Sequence, residues 1–600
     1  MLLATALPIS AKPLNFMLGQ KQMLDIRYFC PSNTQSEQCR EPVTQLPAEL
    51  KKLIVQHQIG GVILFAENVA SATQVKALIA DLQGAVADAG LPPLFIAIDQ
   101  EGGRVSRLPV SETNAFAGNM AIGASYAREN TAFATRINTA IAKQLTAIGV
   151  NVNFAPTVDV NVNPLNPVIN VRSYGESARV VSELGLAAVR ALQENGIIAA
   201  MKHFPGHGDT HIDSHTGLPN VAHSRELIEQ VDLLPFKQAI NAPDNAHPKM
   251  IMTAHIQYPA LDSSEFETRN GDKTILPATL SRTILTTLLR EELGYKGIIV
   301  TDAMDMAGIA HYMAPAEALL QTFYAGADIA LMPFTIRTPK DIIEYNQLMQ
   351  SVQEQIGTQR AANASAGIGM VSASELAESV TRIQRLKESL VTKVKETSTP
   401  LPRFDQLESA LAEAAITPVV QKVDLPIAAK PILMLMPDAA RCAAMEAALH
   451  DVKLPVHACF SLANEIDTER VNTVLDGAAA VLIGDISPQH SMAEMGGMDD
   501  WVDWQNRIDK EAQYSIIRQV LERASQQQKI RIFAALRAPY VIERFAAHLD
   551  LALVTYDYRV YADSNAQPRG FMFDALAKVL AGHMGANGTL PVTVNGLLPE

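Results

Sequence analysis

The sequence holds only four cysteines in 600 residues, Cys30, Cys39, Cys442 and Cys459, and no two stand in C-x-x-C spacing. That excludes the common zinc-ribbon and thioredoxin-like redox readings. Cys30 and Cys39 flank a polar loop and could close a disulfide in an oxidising compartment. Their spacing suits two free thiols as well. Basic charge is scarce too: 49 Lys and Arg stand against 63 Asp and Glu, and the net charge is −14. No basic stripe is visible, so no nucleic-acid partner is expected. No run of eighteen apolar residues occurs, so no membrane-spanning helix is expected. No G-x-G-x-x-G follows a strand-like run, which argues against a dinucleotide site. The segment 1–19 opens on apolar Met1-Leu2-Leu3-Ala4 without a basic start. It reads as a signal-peptide remnant or as a docked N-terminal strand. With the Cys30/Cys39 pair, it favours a periplasmic or secreted location over a cytoplasmic one.

What is present is a well-packed globular composition, 48% apolar and 19% charged, at a length that calls for at least two domains. Eight apolar, strand-like runs recur through the first 335 residues: Met23–Ile26, Gly60–Phe65, Leu94–Asp99, Val150–Ala155, Ile197–Phe204, Met250–Ile256, Ile298–Ala303 and Ile329–Met332. Between them lie stretches with helical spacing, such as Gln74–Ala87 and Asn130–Ile148. Alternating strands and helices predict an α/β fold with a parallel sheet, and eight units favour a closed (β/α)8 barrel. The barrel and its trailing helices are expected over 20–396, with a linker over 397–428. A smaller α/β domain over 429–600 follows, with strands at Ile432–Met436, Ala479–Ile483, Ile530–Ala535, Leu551–Thr555 and Leu590–Val594. Gly582 should stop the helix Met572–Leu580. This second unit carries no clustered acid/base residues. The barrel does, because Asp99, Lys202, His203, His255 and Asp302 all fall at C-terminal strand ends, where barrel active sites are built.

The densest stretch runs from Lys202 to His215. Its histidines at 203, 207, 211 and 215 would share a helix face and suggest zinc, but Pro205, Gly206 and Gly208 make a helix improbable. The alternative is a loop, with Lys202 and His203 at the strand end and Asp213 and His215 further out. An Asp two residues from a His can orient the imidazole and raise its basicity, which is acid/base equipment. The ordinary alternative is a loop histidine satisfied by its neighbour. Asp302 ends an apolar strand, where a charge must be paired or used, or else caps the next helix. Asp305 already lies in the following loop and is the poorer nucleophile. Asp99 precedes the turn Gly102-Gly103, which can bring Arg104 and Arg107 back over the strand end. Carboxylate and guanidinium groups together suit the hydroxyl pattern of a sugar, though each could be a structural ion pair.

Taken together, the runs IDQEGGRV (98–105), FAPTVDV (154–160), RSYG (172–175), KHFPGHGDT (202–210), DSH (213–215) and TDAM (301–304) resemble the family 3 glycoside hydrolases. More narrowly, they resemble the bacterial N-acetyl-β-glucosaminidase subfamily, over roughly residues 20–390. ALRAPY (535–540) and GTLPVT (588–593) resemble the α/β sandwich domain that many members carry. The resemblance implies Asp302 as nucleophile and Asp213 with His215 as the acid/base pair. It implies Asp99, Arg107, Arg172, Lys202 and His203 as the groups holding a terminal N-acetylglucosamine, with Arg104 structural. It further implies no metal or organic cofactor and no catalytic residue from 429–600. The expected activity is retaining exo-β-N-acetylhexosaminidase, acting as a monomer on small chitooligosaccharides or muropeptide fragments. Two alternatives stand beside it: a phosphorylase using phosphate in place of water, and a catalytically dead sugar-binding barrel.

Overall fold

Strands buried on both faces must be apolar at every position, and the period of two then sorts their side chains into two cores. The computed structural model describes residues 12–214, 217–357, 370–390, 400–427, 431–463, 466–488 and 508–595. In it, all eight expected runs are strands: β1 (Gln22–Asp25), β2 (Gly61–Leu64), β3 (Phe95–Ile98), β4 (Val152–Asn153), β5 (Ile198–Phe204), β6 (Met250–Thr253), β7 (Ile298–Val300) and β8 (Ala330–Leu331). From β1 to β7 each pairs in parallel with the next. β8 returns to β1 through Gln22 opposite Ala330, and a parallel bridge from Val300 to Ile329 closes the ring. Met23, Ile63, Phe95, Ala97, Val152, Phe154, Ile198, Ala200, Met250, Met252, Ile298, Val300 and Leu331 fill the interior. Their neighbours, including Leu24, Val62, Ile96, Ala199, Ile251 and Ile299, face the surrounding helices.

Helices Ala72–Asp88, Ala132–Ile148, Ala178–Glu194 and Pro315–Ala325 belong to that outer layer. Ser71 caps the first by accepting from the Gln74 amide, and Gly149 ends the second at φ 93°. The helix Ala373–Glu388 closes one end of the barrel, where Ile383 and Leu386 join the inner core. Its Lys387 sits 5.0 Å from the centre of the Phe95 ring and donates to Gln20 Oε1 at 2.9 Å. Burial pushes this ammonium down to about 7.

The second unit is a six-stranded sheet: β9 (Thr417–Gln421), β10 (Ile432–Met436), β11 (Val456–Ser461), β12 (Ala480–Asp485), β13 (Ile530–Ala535) and β14 (Leu551–Val554). The order is β9-β14-β13-β12-β10-β11, parallel throughout except for β9 against β14. The helix Phe571–Leu580 is followed by Gly582 at φ 68°, as the turn chemistry predicts. Cys30–Cys39 and Cys442–Cys459 are both disulfides, the second tying the helix Ala439–Asp451 to β11.

Three expectations differ. The stretch read as linker carries the helix Asp405–Ala415 and β9, while 391–399 and 428–430 lie outside the described residues, as does 1–11 of the N-terminal segment. β11 was missed because it is a half-exposed strand with little apolar contrast. Leu590–Val594 is not a strand. Its polar groups go to the barrel instead: Pro591 O accepts from the Glu176 amide at 3.0 Å and the Thr593 amide donates to Glu176 Oε2 at 2.7 Å.

Beside this contact the barrel itself is tight at Gly123, in the helix Asn119–Glu129, where an added Cβ would lie 1.8 Å from Tyr174 O and 3.3 Å from Pro591 Cβ. Helix propensity alone favours alanine there by about 1 kcal/mol. Overpacking against backbone outweighs it, so Gly123→Ala should cost about 2 kcal/mol or more in chemical denaturation. Gly84→Ala, at a helical position with nothing within 4 Å, should be neutral or stabilising. The two variants should therefore differ in sign.

Candidate active site

The interior file turns from apolar to charged at the C-terminal end of the barrel. Two residues beyond Ala97 stands Asp99, two beyond Ala200 stands Lys202, and two beyond Val300 stands Asp302. All three line a cavity of about 640 Å³, together with Glu101, Arg107, Arg172, His203 and His207. Ile63, Phe65, Met252 and Leu331 provide its apolar floor and walls.

Lys202 Nζ donates to Asp99 Oδ1 at 2.8 Å and lies 2.6 Å from Glu101 Oε1. Arg172 grips the same Glu101 with two bonds, Nε to Oε2 at 3.0 Å and Nη2 to Oε1 at 2.7 Å. Burial alone would raise the Glu101 carboxyl, but Arg172 and Lys202 outweigh it and hold it well below the usual carboxylate range. Burial likewise lowers the Lys202 ammonium, yet Asp99 and Glu101 hold it above the ordinary lysine value. Arg107 is buried; its amide donates to Gln100 Oε1 at 2.8 Å. The turn that returns it uses Gly102 and Gly103 at φ 94° and 62°, conformations that exclude most side chains.

His203 Nδ1 meets Asp159 Oδ2 at 2.7 Å, and Asp159 Oδ1 accepts from the amides of His203 and His207 at 3.1 and 2.7 Å. Burial would raise Asp159; the His203 contacts prevail and lower it. His207, by contrast, is pushed down to about 4 by burial and by His203 beside it, so it is neutral at pH 7. It contacts Thr210 Oγ1 and Ser214 Oγ. His211 contacts Asn163. Three of the histidines weighed as a zinc set thus have separate partners. Among the described residues, no group of three or more His, Cys, Asp and Glu is placed to hold a metal ion.

Asp302 Oδ1 accepts from the Ala303 amide at 2.8 Å, and His255 Nε2 donates to Ala303 O at 2.9 Å, bracing the peptide beside it. Asp213 is buried in the loop after β5, where its carbonyl accepts from the Gly217 amide at 3.0 Å. Its neighbour Ser214 lines the cavity and Asp213 does not. His215 lies outside the described residues. Arg104 faces the second domain, its guanidinium 5.4 Å from the centre of the Tyr558 ring. Sequence reading passed over Glu101 and Asp159, although both lie inside the motifs it singled out. The available signal for Glu101 was a second carboxylate two residues after Asp99, ahead of Arg104 and Arg107; FAPTVDV offers no cation beside Asp159.

A closed (β/α)8 barrel with this charged rim and a trailing α/β domain has the architecture of a glycoside hydrolase. Residues 21–386 match the Glycosyl hydrolase family 3 N terminal domain. The chain is 44% identical over 595 residues to Beta-hexosaminidase A of Pseudoalteromonas piscicida, covering 96% of each protein. It is 35% identical over 292 residues to a Beta-hexosaminidase of Alkalilimnicola ehrlichii, covering 48% of this chain and 78% of that one. Among solved structures, a glycoside hydrolase family 3 beta-N-acetylglucosaminidase from Paenibacillus sp. str. FPU-7 superposes with a TM-score of 0.78 at 28% identity, covering 98% of this chain and 100% of that one. The chain belongs to glycosyl hydrolase family 3.

Removing Glu101 leaves two buried cations short of a counter-charge, so Glu101→Gln should cost about 3 kcal/mol in stability at pH 7. The depressed carboxyl contributes its full stabilisation above the unfolded value of about 4.3, and that contribution declines as pH falls below it. The gap in Tm between wild type and Glu101→Gln should therefore narrow from pH 6 towards pH 3; a constant gap would refute the network's ionic character.

Proposed function

We propose that this chain is an exo-acting β-N-acetylhexosaminidase that removes a non-reducing terminal β-linked N-acetylglucosamine with retained configuration. The observation that carries this reading is Asp302 on the wall of a cavity in which Asp99, Glu101, Lys202 and Arg172 form one ionic network. The similarity over nearly the whole chain to a protein named Beta-hexosaminidase A supports the choice of sugar. Asp99, Arg107, Arg172, Lys202 and His203 bind the terminal sugar. A carboxylate of Asp302 attacks the anomeric carbon as His215, oriented by Asp213, gives its proton to the departing oxygen. His215 then takes a proton from water, which displaces Asp302 and frees the sugar. Chitooligosaccharides and muropeptide fragments both present the required terminus. Two disulfides support action in an oxidising compartment, periplasmic or outside the cell.

The test is turnover of an aryl N-acetylglucosaminide and an aryl glucoside, each with and without inorganic phosphate. The N-acetylglucosaminide should turn over without phosphate, with kcat/KM higher by ~100-fold or more, as expected when a site built to hydrogen-bond the acetamido group meets a sugar lacking it. Asp302→Ala should lower kcat by about 10⁴-fold or more at unchanged Tm, because it deletes the covalent step rather than a packing group. Strict dependence on phosphate would make the protein a phosphorylase, and equal turnover of the glucoside would end the hexosaminidase reading.

A further inference from the structure

The loop after β5 leaves the barrel at Phe204 and returns at Val221, whose amide donates to Gln257 O at 3.0 Å. Its first turn is fixed. Asn166 Nδ2 donates to His207 O at 2.8 Å and to Gly208 O at 3.0 Å, and Gly208 packs so closely on Val160 that a Cβ would lie 1.7 Å from its carbonyl oxygen. Beyond that turn the loop projects outward, with His211 and Ile212 exposed and Ser214 returning to the cavity. Ser214 is tied back by His207 Nε2 at 3.2 Å and by the Gly308 amide at 3.1 Å, and the course of the chain up to Asp213 depends on how its stem is fixed.

His223 joins those stems. Its Nε2 lies 2.8 Å from Asp209 Oδ2 on the outgoing strand of the loop, and its Nδ1 lies 2.7 Å from Asp232 Oδ2. Asp232 is 1% exposed, in the turn between the short helices Arg225–Gln230 and Leu234–Ile240. Its Cβ also packs against Gly206, whose carbonyl accepts from Tyr258 Oη at 2.7 Å. Carboxylates only accept, so an imidazole bonded to one through each nitrogen donates twice, which favours its protonated form. The contacts with Asp232 and then Asp209 do raise its proton affinity, against a partial loss from burial. None of these three residues lines the cavity.

We propose that His223 is a positioning residue: it clasps the outgoing stem of the loop after β5 through Asp209, anchors it on buried Asp232, and so sets the placement of Asp213, the proposed partner of the acid/base. This rests on the assignment of Asp213 and His215 made above.

The experiment compares wild type, His223→Ala, Asp209→Asn and His215→Ala on N,N′-diacetylchitobiose and on a 2,4-dinitrophenyl N-acetylglucosaminide, with and without azide. A dinitrophenolate leaves without a proton, whereas a sugar alkoxide needs one, so a misplaced acid is felt selectively. His223→Ala and Asp209→Asn should each lower kcat on the disaccharide by ~10–100-fold with KM within about threefold of wild type. The pre-steady-state release of dinitrophenolate should change by less than about threefold, and azide should restore part of the slow second step. Asp209→Asn keeps the core intact and serves where His223→Ala fails to fold. Equal losses on both substrates, or a change confined to KM, would overturn the clasp if His215→Ala still shows the leaving-group dependence. Absence of that dependence in His215→Ala would overturn the acid/base reading itself, and the clasp with it.

Discussion

The ion network at the mouth of the barrel is organised around one buried carboxylate, Glu101, shared between Arg172 and Lys202. Four charges meet here: Asp99 and Glu101 against Lys202 and Arg172, so the group is neutral as a whole. Three of the four side chains are less than a tenth exposed, and only Asp99 reaches water, at 19%. Desolvating charges costs several kcal/mol per ion, and the interior repays it only when every partner is in place. The network is consequently weak evidence of stability and strong evidence of a fixed geometry. It ties the segment after β3, the loop after β4 and the end of β5 into one unit, so their polar groups face the cavity already oriented. Catalysis by preorganised dipoles and charges requires that condition, since groups that reorient during reaction cost part of what they contribute.

The turn carrying Glu101 is itself held from behind by the second domain. The Gly103 amide donates to Ala115 O at 3.0 Å, and the adjacent Phe116 carbonyl accepts from Arg559 Nη2. Arg559 is in turn fixed by Asp557 at 2.7 Å. Asn114 completes the seam by donating to Asp405 and Glu408, at 2.8 and 2.7 Å. Arg104 and Arg441 take opposite domains to the same Tyr558 ring, 5.4 and 5.2 Å from its centre. Every described residue that lines the cavity nevertheless comes from the barrel. The second domain therefore meets the barrel behind the 101–116 segment rather than at the cavity.

The barrel was legible because its strands are short, apolar and regularly spaced, and because a period of two carries the interior file directly into Asp99, Lys202 and Asp302. Arg107, Arg172 and His203 line the same cavity. Less legible were contacts that depend on distant segments. Glu101 reads as a loop acid in IDQEGGRV until Arg172, far along the chain, is brought against it. Asp159 likewise looks like a turn residue until it accepts three bonds from His203 and His207. Asp213 falls outside the cavity lining, since loop geometry has no fixed period to extrapolate. Leu590–Val594 has the alternation of a strand, but Pro591 cannot donate to a ladder and its carbonyl is taken by Glu176.

The site thereby separates into two kinds of support. Groups proposed to hold the sugar and to attack it stand on strand ends or on turns locked by buried ions. Their positions follow from the barrel and vary little with loop sequence. The proposed acid/base pair stands on a long loop whose outgoing turn is pinned by Asn166 and whose base is crossed by His223. The division suits the chemistry. The anomeric carbon is attacked from one fixed direction, whereas the departing oxygen belongs to whatever follows the terminal sugar and presents itself at the cavity mouth. A proton donor carried on a loop can meet that oxygen without disturbing the ion network beneath, provided the base of the loop is fixed. The clasp between Asp209, His223 and Asp232 meets this requirement with charged hydrogen bonds outside the cavity, leaving the sugar-facing surface to the residues of the barrel.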